Sequence, residues 1–435
     1  MAYVTQKKKG EELNRPYEED LPVHEWYRFI LSYPPHLVRD FVEKLSLSKG
    51  DRVLDPFCGT GTTLVECKKM GLPSVGLEAN PVVAFAASVK TRWDIDPQGL
   101  RDYGESVAEA TREAFREQGL EDEPFWELTP GKPAEYRTVS EEKQRLLIKN
   151  SISALPLHKV LVLMEKMGDY RDSPYDQYGR LALAKALVCS IGNLKFGPEV
   201  GVGKVKEDAA VVGPWEEIIR SMVKDLGKVK ALDNAPAVVE QADARSMGEQ
   251  VEKQSIDGVI TSPPYPNEKD YSRTTRLESV LLGFMSNREE LRKHKEQFIR
   301  SNTRGVYVAD TDDEWIADFP RIQNLADRIE EKRVELGKTS GFEKHYHRVV
   351  RLYFGGMVRH LENLKALLRP GARLAYVVGE QASYFQIMIE TGEILASIAE
   401  RLGYKVEDIE LFRSRFSTTT RSDLKEQVVV LKWNP

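Results

Sequence analysis

Ser262, Pro263, Pro264 and Tyr265 follow the apolar run from Ile256 to Ile260, and their types suit one task, the holding of an exocyclic amine. Two consecutive prolines fix φ near about −65° and remove two N–H donors, so the turn is stiff and offers carbonyl oxygens. The Ser262 hydroxyl is a further acceptor, and the Tyr265 ring offers a flat face on which a planar base can stack. Taken alone, these four residues read more simply as a proline-rich loop at a strand end.

A second motif changes that balance. Asp55-Pro56-Phe57-Cys58-Gly59-Thr60-Gly61-Thr62-Thr63 follows Arg52-Val53-Leu54, which reads as a short buried strand, and precedes the helical pattern of Leu64, Val65 and Cys67. Its glycines therefore occupy a strand-to-helix turn, where backbone comes close to a ligand. The dinucleotide pattern is not met, because its first glycine is absent and Asp-Pro precedes the turn. Roughly twenty residues past Gly59, Val75-Gly76-Leu77 reads as a second strand ending at Glu78, the spacing at which an acid takes the ribose hydroxyls of a nucleoside.

In this order the two loops resemble those of the amino-methyltransferase family of DNA modification enzymes, which use S-adenosylmethionine and carry D-P-F-x-G-x-G and [DNS]-P-P-[YF] motifs. The resemblance implies that Asp55, Phe57, Gly59 and Gly61 cradle the methionine moiety and that Glu78 holds the ribose. Pro56, Thr62 and Asn80 are counted with them as cofactor-binding positions. Ser32-Tyr33-Pro34-Pro35-His36-Leu37 is similar to a further cofactor element of the family, which would add Tyr33, or else is an ordinary helix start. Asp243 either reaches the adenine amino group or caps a turn.

Ser262 to Tyr265 are then the catalytic residues. A nucleobase amine is a weak nucleophile, and acceptors beside it draw off positive charge as the carbon–nitrogen bond forms. The methyl group is already activated on the sulfonium, so no covalent intermediate is needed and alignment supplies much of the rate. Because the amine is buried in a duplex, the base is expected to flip out and stack on Tyr265. Carbon-5 methylation of cytosine needs a cysteine thiolate, which in that family follows a proline, and the chain has no Pro-Cys pair. Cys58 reads as a small packing residue. In the family the serine form of the motif goes mostly with cytosine N4, which is the expectation here. Adenine N6 is the alternative, followed by RNA or protein amine methylation and by an inactive DNA-binding scaffold. The resemblance also implies double-stranded DNA as partner and a role beside a restriction endonuclease.

Composition is ordinary for a globular protein and agrees with an intracellular enzyme without demanding one, with 41% hydrophobic and 30% charged residues in 435. No stretch is long and apolar enough for a membrane span, and Met1 to Lys9 lack the apolar segment of a signal peptide, so cytoplasm is the expected location. Three cysteines are too few and scattered for a disulfide framework or a four-cysteine zinc site, and no metal is expected. Net charge is −5, but nucleic-acid binding depends on local charge. Arg273 and Arg276 near the proline turn, Arg304, and Arg413 and Arg415 near Arg421 are the candidate DNA contacts. The basic stretch 288 to 300 is interspersed with Glu289, Glu290 and Glu296 and reads equally as a solvated helix face, and Asn302 to Tyr307 equally as a DNA-reading loop or a turn. Gly337-Lys338-Thr339 imitates a Walker loop without the required upstream glycine, and His345 and His347 read as part of a helix start.

These residues need a frame to bring them together. The pattern predicts an α/β, Rossmann-like methyltransferase fold, a mostly parallel sheet with an antiparallel edge hairpin, plus helical insertions. Residues 1–96, 236–284 and 346–435 are expected to form the catalytic domain, 97–235 a helical insertion broken between Gly192 and Gly203, and 285–345 a second insertion and candidate target-recognition region. A helix marked by Val350 to Leu368 is expected to stop at Pro370-Gly371 before a strand from Leu374 to Val378. A helix from Glu393 to Leu402 and an antiparallel pair over about 406–412 and 426–433 complete it. The two motif loops then lie at the carboxyl ends of neighbouring central strands, beside the switch in strand order.

Overall fold

β-branched and leucine-rich segments supply the strands. Val53–Asp55 (β1), Ser74–Leu77 (β2), Leu194–Lys195 (β3), Gly201–Val202 (β4), Ala237–Glu240 (β5), Ile256–Thr261 (β6), Leu368–Gly379 (β7), Lys405–Ser417 (β8) and Ser422–Lys432 (β9) are the strands of the computed structural model, which describes residues 15–27, 32–122, 133–197, 199–232, 234–417 and 421–435. Met1 to Lys9 and Thr418 to Thr420 of the last polar loop lie outside the described residues. Seven strands form one sheet in the order β5-β2-β1-β6-β7-β9-β8, parallel except where β9 runs against both β7 and β8. This is the Rossmann-like methyltransferase sheet. β3 and β4 make a separate small hairpin inside the Gly192 to Gly203 break.

The switch in strand order falls between β1 and β6, which are hydrogen-bonded neighbours although more than two hundred residues apart. On each side of it the chain crosses over by helices, and strand alternation buries both faces. On β7, Leu374, Tyr376 and Val378 join one core with Tyr353, Phe354 and Leu361, while Ala375 and Val377 join another with Leu37, Val38 and Phe41. The first group lies on Tyr346–Leu364 and the second on Pro35–Lys44, so a helix covers each face. Each fully buried Leu, Val or Phe contributes roughly 1.5–3 kcal/mol.

Two expected boundaries differ. β7 begins at Leu368 rather than Leu374, so Pro370 and Gly371 lie inside the strand. Leu368 pairs with Ile256, the register shifts before Gly258, and Gly371, at φ 89°, donates its N–H to the Trp433 carbonyl at 2.8 Å. Proline and glycine here mark a bulge, not a strand start. The final hairpin is also longer than expected. β7 and β9 part at the pair Gly379 and Glu426, and residues 413–417 and 422–425 run on as a two-stranded arm past the sheet.

The helices after residue 97 share a core with the rest of the chain. Leu163, Leu183, Trp215 and Ile219 pack in one cluster with Val65, Val89 and Trp93, and with Leu277 and Leu281. The segment 285–345 likewise places Ile316, Ile322 and Ile329 against Val349 and Tyr353. No helix among the described residues is long and apolar enough to cross a membrane.

A latch near the start of the chain joins these parts. The buried Asp225 carboxylate, on the helix Val212–Val229, accepts from the Val23 N–H at 3.1 Å and the Trp26 indole N–H at 3.0 Å. Asp225→Ala leaves two buried donors without a partner and is expected to cost about 2–4 kcal/mol in urea unfolding.

Candidate active site

Asp55 ends β1, and its carboxylate is fully buried. It accepts from the Thr261 hydroxyl at 2.6 Å, the Tyr33 hydroxyl at 2.9 Å and the Phe57 N–H at 3.1 Å. Burial holds its pKa above the ordinary carboxylate value, against the pull of those donors. Thr63 hydrogen-bonds to the Tyr33 hydroxyl and donates to the Ile260 carbonyl at 3.1 Å. One acid and one threonine thus join the end of β1, the end of β6 and the Tyr33 segment.

Beyond Asp55 the chain turns over Gly59 and Gly61, at φ 52° and 84°, into the helix Thr62–Lys69. A Cβ added at Gly59 would meet nothing within 4 Å, whereas one at Gly61 would come within 3.2 Å of Ala87. Gly59 therefore leaves room on the cavity side, and Gly61 allows the close packing of the helix behind it. Glu78 follows β2 and accepts from the Gly59 N–H at 3.1 Å and the Asn80 N–H at 2.7 Å. Burial raises its pKa from 4.5 to about 7 despite these two donors. Cys58 is buried, with its thiol pushed well up by burial, which leaves a packing residue and not a thiolate.

From the neighbouring strand β6 comes the proline turn. Ser262 donates its hydroxyl proton to the Val377 carbonyl on β7 at 3.1 Å, which leaves the Oγ lone pairs as acceptors. The Tyr265 ring packs on β7, since a Cβ at Gly379 would lie 3.0 Å from its Cε2. Burial and the Glu426 carboxylate push the Tyr265 hydroxyl well above its ordinary pKa, so it stays neutral.

Both loops wall a single cavity of about 820 Å³. Tyr33, Pro56, Phe57, Gly59, Thr62, Glu78 and Asn80 line one part of it, and Ser262, Pro263, Pro264 and Tyr265 another. Three expected cofactor positions do not line it. Asp55 and Gly61 act from behind, as above, and Asp243 holds Arg245 through contacts of 2.8–3.1 Å while its neighbours Ala242 and Ala244 face the cavity. The strand before Asp243 also ends earlier, at Glu240.

The arginines divide in the same way. Arg413 and Arg415 line the cavity from the β8–β9 arm, the first paired to Glu426 at 2.5 Å and the second 3.4 Å from the Gln381 amide oxygen. Arg273 and Arg304 lie outside it, 4.0 and 3.6 Å from Glu199. Arg276 turns inward to the carbonyls of Ser272 and Leu146 at 3.0 and 3.3 Å, so burial opposes its charge and it fastens a loop. In the stretch 288–300, Arg292 and Lys293 pair with Glu296 and Glu289 on their own helix, Arg288–Glu296, as a solvated face does. Asn302 caps the short turn Thr303–Gly305, and the guanidinium groups of Arg292 and Arg300 each lie over the Tyr307 ring.

Sequence reading missed several cavity residues. Lys269 lines it with no hydrogen bond or ion pair on its ammonium among the described residues, and burial together with Arg415 lowers its pKa. Its signal was position, four residues after Tyr265. Phe385 and Gln386 line it too, from a turn that carries no motif.

A parallel sheet with a glycine turn, a ribose-spaced acid and an open cavity at its switch point defines the Rossmann-like methyltransferase class. A family model described as DNA methylase matches residues 3–87, which span the cofactor-type loop and β2. The Type II methyltransferase M.BsoBI of Geobacillus stearothermophilus is 22% identical over 438 residues, covering 94% of this chain and 84% of the relative. M.AvaI of Anabaena variabilis, also a Type II methyltransferase, is 23% identical over 412 residues, covering 89% and 80%. A shorter match, 36% identical over 72 residues and covering 17% and 20%, is to a tRNA (guanine(10)-N2)-dimethyltransferase of Methanothermobacter thermautotrophicus. The family model and both long matches thus support a likeness to the amino-methyltransferase family of DNA methylases.

The Glu78 shift has a measurable consequence. Its folded pKa lies above the unfolded value, so the native state binds the extra proton, and stability falls as pH rises from about 4.5 to about 7. Glu278, also raised to about 7 by burial, contributes with the same sign. Buried His24 and His360, lowered from 6.5 to about 4, contribute with the opposite sign over nearly the same range, so the Glu78 contribution is read as a difference: the urea midpoint of Glu78→Gln should gain on that of the wild type as pH rises from about 4.5 to about 7.

Proposed function

We propose that this protein transfers the methyl group of S-adenosylmethionine to the N4 amine of cytosine in duplex DNA, with the target base rotated out of the helix. The observation that carries this reading is the common cavity between the Asp55 to Gly61 turn and the Ser262 to Tyr265 turn. Its volume of about 820 Å³ has room for a nucleoside cofactor and one nucleotide side by side.

Several features of the first wall fit the cofactor. Gly59 leaves open space where any side chain would intrude, and Glu78 has carboxylate oxygens already oriented by two backbone donors. In this reading Glu78 accepts from the ribose hydroxyls, and Phe57, Gly59, Thr62 and Tyr33 enclose the methionine moiety. Asp55 and Gly61 shape that enclosure without touching it. When bound, S-adenosylmethionine supplies a sulfonium-activated methyl group.

The other wall presents the amine. Ser262 Oγ, its own proton committed to the Val377 carbonyl, accepts from the amine N–H, and the carbonyls of the proline turn accept beside it. Both interactions strengthen as the nitrogen becomes positive, which is the requirement for lowering the barrier. Tyr265, fixed against Gly379, offers the stacking face. In the family that the turn resembles, the serine form of the motif goes mostly with cytosine, which favours that base here. Lys269, Arg413 and Arg415 carry the phosphate contacts of the flipped nucleotide, with Arg273 and Arg304 farther along the DNA. Both long matches are Type II methyltransferases, which favours a cytoplasmic enzyme that protects DNA from a companion endonuclease.

The test is expression in a methylation-free host followed by sequencing that identifies the modified base. N4-methylcytosine in a short fixed motif is expected, abolished in Pro264→Ala and reduced about 100-fold or more in Tyr265→Ala. N6-methyladenine would keep the machinery and correct the base, transfer to tRNA alone would move the substrate to RNA, and DNA left unmodified by folded, cofactor-loaded protein would overturn the reading. A second measurement addresses the cations. Lys269→Ala should weaken binding on every DNA sequence alike and reduce the slope of log K against log salt by about 0.9.

A further inference from the structure

The segment after β7 contains the one place among the described residues where two consecutive non-glycine residues have positive φ. Phe385 and Gln386 lie at 52° and 62°. They are the central pair of a tight turn closed by the Ile387 N–H donating to the Tyr384 carbonyl at 3.0 Å. Just outside the turn, Gln381 and Ile389 exchange both backbone hydrogen bonds, at 3.2 and 2.7 Å. Positive φ at both central positions is the mark of a type I′ hairpin turn, which strongly favours Asn-Gly, Asp-Gly or Gly-Gly. Phenylalanine is among the poorest choices there, because a side chain at positive φ crowds its own backbone. A turn that only reversed the chain would be served better by asparagine and glycine.

What these side chains do is set by where the turn is held. Tyr384, its first residue, is buried, reaches the Ser301 carbonyl at 3.4 Å and hydrogen-bonds to Glu268. Glu268 itself lies at φ 67° in the loop that follows Tyr265, held by the Thr303 N–H at 3.0 Å and hydroxyl at 2.9 Å. The turn is thereby fastened to the loop of the amine-holding motif. Phe385 packs one side on Tyr346, ring centroids 5.1 Å apart, and lines the cavity with the rest. Gln386 lines the cavity at its exposed rim, and its amide has no hydrogen-bond partner among the described residues.

We propose that the turn from Tyr384 to Ile387 grips the extruded nucleotide, with Phe385 stacking on the base and the Gln386 amide donating to ring acceptors away from the amine. For a pyrimidine whose amine faces Ser262, those acceptors are the ring nitrogen and the carbonyl oxygen. The inference rests on the methyltransferase reading of this cavity and adds to it a second stacking face and an edge contact. The unfavourable backbone is retained because the ligand, not the fold, requires these two side chains.

Two variants test it, with S-adenosylmethionine and plasmid DNA as probes. Gln386→Gly relieves the left-handed backbone while adding freedom to the unfolded chain, so the thermal midpoint should stay level or rise. Its calorimetric affinity for S-adenosylmethionine should match the wild type, and its KM for plasmid DNA should rise about tenfold or more. Phe385→Leu keeps an apolar residue without the ring and should lower kcat/KM for DNA about tenfold or more, again with unchanged cofactor affinity. The proposal is overturned if both variants stay within about twofold of wild type on DNA. It is also overturned if Gln386→Gly lowers the thermal midpoint by several degrees, since the turn would then serve the fold. A wild-type protein that binds the cofactor yet methylates no DNA would instead sink the methyltransferase reading, and this inference with it.

Discussion

The Asp55 carboxylate sets the spacing of everything around it. Three donors reach it, from the strand beside it, from the loop after it and from a segment that precedes the sheet. None of the three is charged, so the cost of burying this carboxyl group is offset by hydroxyl and amide dipoles alone. Such an arrangement is stiff, because moving any one donor leaves a buried acceptor undersatisfied. The turn that carries Gly59 and the turn that carries Pro264 are therefore held in fixed register before any ligand arrives. Preorganisation of this kind is what a transfer between two bound molecules needs.

Charge is distributed to match. The interior of the cavity is lined by hydroxyls, amides and aromatic rings with two acids, Glu78 at about pKa 7 and Glu426 paired to Arg413, while Lys269 and Arg415 add positive charge to its walls. An acidic chain, at net charge −5, can thus present a local basic surface. Several other arginines are spent within the protein. Arg276 and Arg245 tie loops together, and Arg292 answers an acid one turn away.

Much of the fold was legible because its signals are local. Apolar runs ending in Asp55 and Thr261, glycines between a strand and a helix, and an acid one strand later follow from backbone chemistry that acts over a few residues. Direction was not legible. Arg276 sits close to the proline turn in sequence, yet helix geometry points it toward Leu146, and nothing in residue order reveals that. Pro370-Gly371 looked like punctuation because those residues usually are, and only the pairing of Leu368 with Ile256 makes them part of a strand. The core joining Trp215 to Trp93 depends on which helix faces meet, a long-range matter. Phe385 and Gln386 escaped for the opposite reason, since a turn built from unlikely residues carries no turn signal.

β9 enters the sheet between β7 and β8, although it follows both in the chain. Until residues 422–432 are in place, β7 keeps a bare edge of unpaired backbone and β8 has no neighbour to join. The arm that brings Arg413 and Arg415 to the cavity does not exist before that insertion. Completing this side of the sheet needs β9 to pair with β7, well upstream in the chain, and a strand edge left unpaired is a sticky margin. The lysines and glutamates flanking the valine run of β9, Lys425 and Glu426 on one side and Lys432 on the other, are placed to discourage a second chain from occupying that gap first.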